Sequence, residues 1–392
     1  MKKVTIGVIG SGYAAYLHWR GYRNVSGARI RLKSIADISI EKALEAKEKY
    51  GFENAFQDYK LILNDPEIDI IDICTPPKSH VKISKEALEA NKHVICEKPL
   101  TGFFENDDEI INVGHVKKRK MYKKVLSEME ELKKYVDSSK KKFMYAENII
   151  YSPSIQKAAE IIKKKKSKIL FMQGEESLKG SSSPVAGNWK DTGGGSLLRI
   201  GSHPVGGVLW LKRIQGESSG NKTYVESVVA DTGTIYPTLT KDERKHFTCN
   251  PVDVEDIATL IITFSDKTKA LITAADICLG GTRNYINIYT NDSVFRCNMT
   301  PTDSMETYFL EEDRIEDIEI AEMLPTKIGW NKAFISDEVL RGYANQFQNF
   351  IDSVILNEEP ISSFEIAFDI TKTIYAAYIS SEEGKRIYLD KI

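Results

Sequence analysis

What this sequence lacks narrows its reading early. Cysteine is sparse: Cys74, Cys96, Cys249, Cys278 and Cys297 are scattered, odd in number and without any Cys-x-x-Cys pair. That spacing argues against a disulfide framework or a zinc knuckle and fits a reducing, cytoplasmic setting. No stretch approaches the run of about 20 apolar residues that a membrane span requires. Neither sign of charge dominates, with 54 basic side chains against 56 acidic ones and a formal net charge of −2. No global field therefore favours nucleic acid or an anionic membrane as partner. Only about six apolar residues follow Met1-Lys2-Lys3, too few for the core of a secretory leader, so a first strand is expected there. Internal repeats and low-complexity linkers are also missing.

What remains is an ordinary globular composition, 42% hydrophobic and 28% charged, over 392 residues, a length that suits two domains. Val4-Thr5-Ile6-Gly7-Val8-Ile9 is an apolar, β-branched run that ends in Gly10-Ser11-Gly12-Tyr13-Ala14-Ala15 and passes into a helical stretch through Arg20. A G-x-G-x-x-A pattern between a strand and a helix is a dinucleotide fingerprint. Gly10 permits the tight turn and Gly12 leaves no side chain between backbone and pyrophosphate. Ala15 lets the helix lie close on the strand, and the amides around Tyr13 and Ala14 sit at its positive end. Asp37 closes a second strand, Ile30 to Ala36. A carboxylate there accepts from ribose hydroxyls and repels a 2′-phosphate, and Ile38 and Ser39 supply no arginine to receive one, so NAD is expected rather than NADP.

Strands and helices then alternate, which implies a parallel, doubly wound sheet. Asp58 to Leu63 reads as helix, Ile68 to Cys74 as a buried strand stopped by Thr75-Pro76-Pro77, Ser79 to Ala90 as helix, and His93 to Cys96 as a strand ending in Glu97-Lys98-Pro99. Leu100 to Lys124 is expected to make a surface excursion, with acids around Asn106 to Glu109 and the basic run Lys117 to Lys124, before a helix from about Val125 to Tyr135. This run and Lys163 to Lys166 read as solvated lysines among neighbouring acids; polyanion binding is the alternative. Phe143 to Ala146 is the last strand of this part. From Ile169 the pattern changes to long strands at Ile169 to Glu175, Tyr224 to Thr232, Ile257 to Phe264, Lys269 to Cys278, Tyr285 to Thr290 and Tyr308 to Glu311. A turn at Ser265-Asp266-Lys267 makes that sheet largely antiparallel. Helices near Asp337 to Leu356 and Phe364 to Ser380 close the chain.

The fingerprint, Thr75-Pro76-Pro77 with His80 just beyond, and above all Glu97-Lys98-Pro99 resemble the glucose-fructose oxidoreductase and inositol dehydrogenase family, often written Gfo/Idh/MocA. The resemblance implies an α/β fold: a Rossmann dinucleotide-binding domain at 1–147 and, at 148–392, an α+β domain built on an open, largely antiparallel sheet for substrate binding and oligomerisation. In that family the E-K-P lysine serves catalysis beside the nicotinamide and its proline is typically cis. Thr75, Pro76, His80, Glu97 and Lys98 are accordingly expected at the cofactor. Gly193-Gly194-Gly195-Ser196-Leu197-Leu198-Arg199-Ile200-Gly201-Ser202-His203 is similar to the family's G-G-G motif followed by an acid and then a histidine four residues later. If this segment is helical, positions 199 and 203 share a face.

His203 matches the family's histidine and suits exchange of the hydroxyl proton, since an unperturbed imidazole titrates near pH 6.5. Lys98 can hold the reacting oxygen and stabilise alkoxide-like charge. The bland readings are a satisfied helix histidine and a Lys98–Glu97 pair; His18, His93, His115 and His246 have weaker claims. Arg199 departs from the family pattern, where many members carry aspartate. It binds an anionic group of the substrate, or it pairs with an acid such as Glu147, Glu175 or Glu176. Tyr151 and Trp189 border the expected pocket, although such aromatics in a β-rich domain are often core. The implied protein is an NAD-dependent oxidoreductase acting on a sugar, inositol or sugar-acid derivative, without a metal, as a homodimer or homotetramer. A non-catalytic NAD sensor of the same fold is the alternative.

Overall fold

The computed structural model describes residues 2–105, 112–300, 305–321, 324, 326–334 and 336–392. The acidic part of the expected excursion, Asn106 to Glu109, lies outside the described residues. β1 (Lys2–Ile9) is buried over its last six residues. It is followed by α1 (Tyr13–Tyr22), β2 (Ala28–Ala36), α2 (Ile40–Tyr50), β3 (Asn54–Phe56), α3 (Lys60–Leu63), β4 (Ile70–Ile73), α4 (His80–Glu89), β5 (His93–Glu97), α5 (Lys118–Ser138) and β6 (Phe143–Ala146). The six strands pair in parallel in the order β3-β2-β1-β4-β5-β6. The order reverses between β1 and β4, so the carboxyl ends of these two strands flank the crevice where such sheets take ligands.

Local chemistry sets the element ends. Ser39 Oγ accepts the Lys42 amide to cap α2, and Gly51 ends that helix in the left-handed region, with φ 79°. The sequence starts α5 near Val125, but it begins at Lys118. Lysine and arginine are good helix formers, and Lys120, Lys123 and Lys124 stay exposed while Met121, Tyr122, Val125, Met129 and Leu132 are buried.

Beyond Tyr151 come α6 (Pro153–Lys165), β7 (Ile169–Ser177), α7 (Trp189–Thr192), α8 (Ser196–Arg199), α9 (Ser202–Ser219), β8 (Val225–Gly233), β9 (Ile257–Phe264), β10 (Lys269–Ala275), β11 (Arg283–Thr290) and β12 (Val294–Asn298). The chain ends with β13 (Glu306–Phe309), β14 (Gly329–Lys332), α10 (Asp337–Leu340), α11 (Tyr343–Leu356), α12 (Phe364–Glu383) and β15 (Ile387–Tyr388). The helix expected from Asp337 to Leu356 is two helices, because Gly342 breaks it at φ 96°. The larger sheet runs β12-β11-β7-β10-β9-β8-β15, and among the described residues its only parallel pair is β7 with β10. The largely antiparallel sheet expected from the sequence is therefore present, but the strand expected at Tyr308 to Glu311 lies apart from it, as β13 paired with β14. One face is buried through Met172, Ala270, Ile272, Leu260, Ile286 and Ile288. Helix α9 lies on this face, and a Cβ added at Gly174 would come within 2.9 Å of Pro204 Cβ. On the opposite face Phe171 stacks on Tyr289, and Phe171 and Ile261 are exposed.

The chain does not divide once near residue 147. One compact unit holds 1–151, 189–193 and 342–375, and the other holds 152–188, 194–341 and 376–392. The return of the chain to the first unit has a packing reason. Phe347 of α11 meets His18 and Tyr22 of α1 at ring-centroid distances of 4.7 and 4.4 Å, and Phe364 meets Phe143 edge-on at 5.4 Å. Among the described residues no helix is long and apolar enough to cross a membrane.

Gly21 shows how tight the α1–α11 contact is, since an added Cβ would lie 2.2 Å from Phe347 Cδ2, in a ring that is itself fully buried. Gly21→Ala should therefore lower the unfolding free energy by about 1–3 kcal/mol through overpacking, despite the roughly 1 kcal/mol gain in helix propensity. Urea unfolding measures it, and an unchanged or raised midpoint would contradict this packing.

Candidate functional site

The turn after β1 brings the fingerprint residues to the carboxyl edge of the parallel sheet. Gly10 has φ +98°, donates its amide to Ala36 O at 2.7 Å, and lies so near β4 that a Cβ would sit 2.5 Å from Cys74 O. Any side chain there would push the strands apart. Gly12 is different. It caps α1 without a side-chain bond, and a Cβ there would meet nothing within 4 Å. The space above Gly12 and the first amides of α1, at Tyr13 and Ala14, is thus open to a phosphate, while Ala15 is buried.

Asp37 is already held in place. Its Oδ2 accepts the Ser11 amide at 3.0 Å and the Ser11 hydroxyl at 2.7 Å, and its Oδ1 accepts the Ser39 amide at 3.0 Å. Partial burial works against its charge, but these bonds outweigh it and hold the carboxyl below its ordinary range. A carboxylate offers about four acceptor sites, so capacity remains for ribose hydroxyls. Ser11 was not singled out in the sequence, because it occupies a variable position of the pattern.

The next two strand ends carry the T-P-P and E-K-P segments, and the Lys98–Pro99 peptide is cis. His80 is fully buried, its Nε2 2.7 Å from Thr75 O and its Nδ1 2.8 Å from Pro99 O. Burial lowers its basicity more than the two carbonyls and Glu97 raise it. Both ring nitrogens thus face backbone carbonyls, one at each of the T-P-P and E-K-P segments. Glu97 also turns inward. Its Oε1 lies 3.0 Å from His18 Nε2, and its Oε2 accepts the Lys98 amide at 2.8 Å.

Two other expected pocket residues prove to be core. The Tyr151 ring is buried, its hydroxyl donating to Asn349 Oδ1 and accepting the Ser362 amide, each at 2.9 Å. Trp189 is buried with the Lys118 ammonium 4.3 Å from its ring centroid. In the same unit Gly193, at φ +76°, lies against Gly102, where a Cβ would be 2.6 Å from Gly193 Cα. The Tyr375 hydroxyl ties these two backbones together, accepting the Phe103 amide at 2.7 Å and donating to Gly193 O at 2.6 Å.

In the other unit the G-G-G segment continues to Arg199 and His203. Buried Glu255 holds its backbone: Oε2 accepts the Gly195 amide at 3.1 Å, and Oε1 accepts the Leu197 amide at 2.9 Å and the Tyr378 hydroxyl at 2.8 Å. Burial pushes this carboxyl up to about 6, against the opposing pull of its hydrogen bonds. No single helix runs through 199 and 203. α8 ends at Arg199, the Ile200 and Gly201 amides both return to Ser196 O, and α9 starts afresh with His203 as its second residue. His203 is buried. Arg199 bonds to Asp276, just past β10, an acid outside the three glutamates expected. Asp276 is 77 residues away in sequence, and only the fold reveals it.

The chain matches two family models: "Oxidoreductase family, NAD-binding Rossmann fold" over residues 4–122 and "Oxidoreductase family, C-terminal alpha/beta domain" over 168–389. It is 39% identical over 106 residues to levoglucosan dehydrogenase of Pseudarthrobacter phenanthrenivorans, covering 26% of this chain and 27% of that protein. It is 34% identical over 96 residues to myo-inositol 2-dehydrogenase of Thermotoga maritima, covering 24% and 28%. These alignments thus span little more than a quarter of either curated relative. In fold it is similar over its whole length to a structure of levoglucosan dehydrogenase in complex with NADH, with TM-score 0.73, 20% identity and 100% of both chains covered. It is likewise similar to myo-inositol 2-dehydrogenase from Lactobacillus plantarum, with TM-score 0.72, 17% identity and 99% of both chains covered.

The Arg199–Asp276 pair is largely buried, with side-chain exposures of 18% and 6%. Arg199→Gln should destabilise the protein by about 3 kcal/mol by stranding a carboxylate, and adding Asp276→Asn should restore most of that loss. Chemical denaturation of the two single variants and the double variant measures the cycle. Additive losses would show that the pair is not coupled.

Proposed function

The chain belongs to the Gfo/Idh/MocA oxidoreductase family, and from that membership we propose that it is an NAD-dependent dehydrogenase acting on a carbinol carbon of a neutral sugar, inositol or related polyol. The observation that carries this reading is the arrangement at the carboxyl edge of the parallel sheet. Gly12 leaves its amide turn open, Ser11 and Ser39 hold Asp37 ready for a ribose, and Lys98 follows directly on β5. The residues present fit the dinucleotide. Gly10, Gly12 and the first turn of α1 would hold its pyrophosphate, and Asp37 would take the ribose hydroxyls and disfavour a 2′-phosphate. Exposed Ile38 offers apolar surface beside that ribose position.

When bound, the nicotinamide supplies a hydride acceptor. The protein's own part is proton management and charge placement. By resemblance to the family's motifs, each taken by itself, His203 is assigned exchange of a hydroxyl proton and Lys98 the stabilisation of developing alkoxide charge. Asp276 balances the charge of Arg199, which favours an uncharged substrate over a sugar acid or phosphate. The named activities of the levoglucosan and inositol dehydrogenases support the same class. We further assign the open sheet face around Phe171, Ile261 and Tyr289 to a second copy of the chain, giving a homodimer or homotetramer. Light-scattering mass in solution tests this, and a monomer at working concentration would refute it.

The activity test is NADH formation at 340 nm across levoglucosan, inositols, aldoses, sugar acids and sugar phosphates. Neutral polyols should be turned over, and His203→Ala and Lys98→Met should each lower kcat/KM by roughly 10²-fold or more. Tight NAD binding with no turnover of any of these compounds would instead support a sensor. Preference for sugar acids that is lost in Arg199→Gln would show that Arg199 binds substrate.

A further inference from the structure

His18 lies on the inner side of α1 and is fully buried, yet both of its ring nitrogens face carboxylates. Nδ1 is 2.9 and 3.0 Å from the two oxygens of Asp72, and Nε2 is 3.0 Å from Glu97 Oε1. A neutral imidazole has one N–H and would direct a lone pair at one of these acids. Each acid has a further donor that stabilises its charge: Tyr22 Oη donates to Asp72 Oδ2 at 2.8 Å, and the Lys98 amide donates to Glu97 Oε2 at 2.8 Å. Also against the ring are the Cys74 thiol, 3.3 Å from Nδ1, and the edge-on ring of Phe347. Burial and Asp72 push that thiol up to about 12, so it brings no competing charge at neutral pH. Burial works against the charged ring, but Asp72 and the Cys74 sulfur raise its basicity well above the ordinary value, and His18 in turn holds the buried Glu97 carboxyl below its ordinary range.

We propose that His18 is a permanent imidazolium that acts as a positioning residue, locking the glycine-rich helix to the E-K-P strand end and thereby fixing the peptide that carries Lys98. The chain of contacts is continuous: α1 presents His18, His18 grips Glu97, and Glu97 grips the Lys98 amide. Asp72 on β4, with Tyr22, holds the ring from its other side. The helix whose first amides would receive the pyrophosphate is thus mechanically coupled to the lysine assigned to the reacting oxygen. The kinetic consequence rests on the dehydrogenase reading; the charge state does not.

Long-range ¹H–¹⁵N NMR of the full-length wild type, labelled with ¹⁵N-histidine, tests the charge directly. One of the six histidines should show two protonated ring nitrogens unchanged from pH 6 to pH 9, and that signal should vanish in His18→Gln. A signal that converts to a neutral tautomer in this range overturns the proposal. So does an Nδ1 that loses its proton when zinc is added, because His18, Asp72 and Cys74 could then be holding a metal instead. In turnover, His18→Gln should lower kcat by roughly 10²-fold, and His18→Gln/Glu97→Gln should fall no further than the worse single variant, since both cut the same chain. Wild-type kcat in folded His18→Gln overturns the positioning role and leaves the dehydrogenase reading standing. Failure of the wild type to turn over any polyol sinks the dehydrogenase reading, while the NMR result still decides the charge.

Discussion

The close approach of the β1–α1 turn to β4 is the constraint on which the rest of the first unit depends. At Gly10 only a hydrogen atom separates the backbone from Cys74 O, and the same residue spends its amide on Ala36 at the end of β2. Three strand ends are therefore drawn to one edge. Ser11 can then reach Asp37, the first turn of α1 stands open above the edge, and the T-P-P and E-K-P segments follow from neighbouring strands. Each of these placements follows from parallel pairing with glycine at the one position that tolerates no Cβ.

Buried charge is the second organising feature. Asp72 and Glu97 are answered by His18, Arg199 by Asp276, Lys212 by Asp266, and Glu255 by two amides and a tyrosine hydroxyl. An uncompensated charge in such places would cost several kcal/mol, so each group fixes its partner's position as well as its protonation. Most of these groups lie directly beneath the motifs assigned to chemistry. Glu255 holds the backbone that leads to Arg199, and Glu97 holds the backbone of Lys98. Polar networks of this kind make a site rigid when every member is satisfied.

How much of this was legible in the sequence follows the range of the interactions. The glycine turn, Asp37 and the E-K-P triplet could be read because their roles depend on strand ends and a few adjacent residues. The parallel and antiparallel sheets followed from periodicity, and each main strand lies within a few residues of its expected place. β3 was missed because three residues carry no pattern. A single helix through Arg199 and His203 is interrupted at Ile200 and Gly201, and local spacing could not show it. Asp276, Glu255 and Tyr375 are invisible in one dimension, since each acts across a long stretch of chain. Tyr151 and Trp189 lie beside informative motifs but face the core, which sequence adjacency does not reveal. His18 did leave a trace: it sits three residues after Ala15, on the face of α1 that turns toward the sheet.

The central claim is that a hydride leaves a substrate carbon and arrives on the dinucleotide. The most direct measurement uses a neutral polyol that the protein turns over, deuterated at the reacting carbon, with mass spectrometry of the reduced cofactor. The account predicts that essentially every NADH formed carries one deuterium. Unlabelled NADH, with the deuterium found in water, would contradict direct transfer and the site assigned to it.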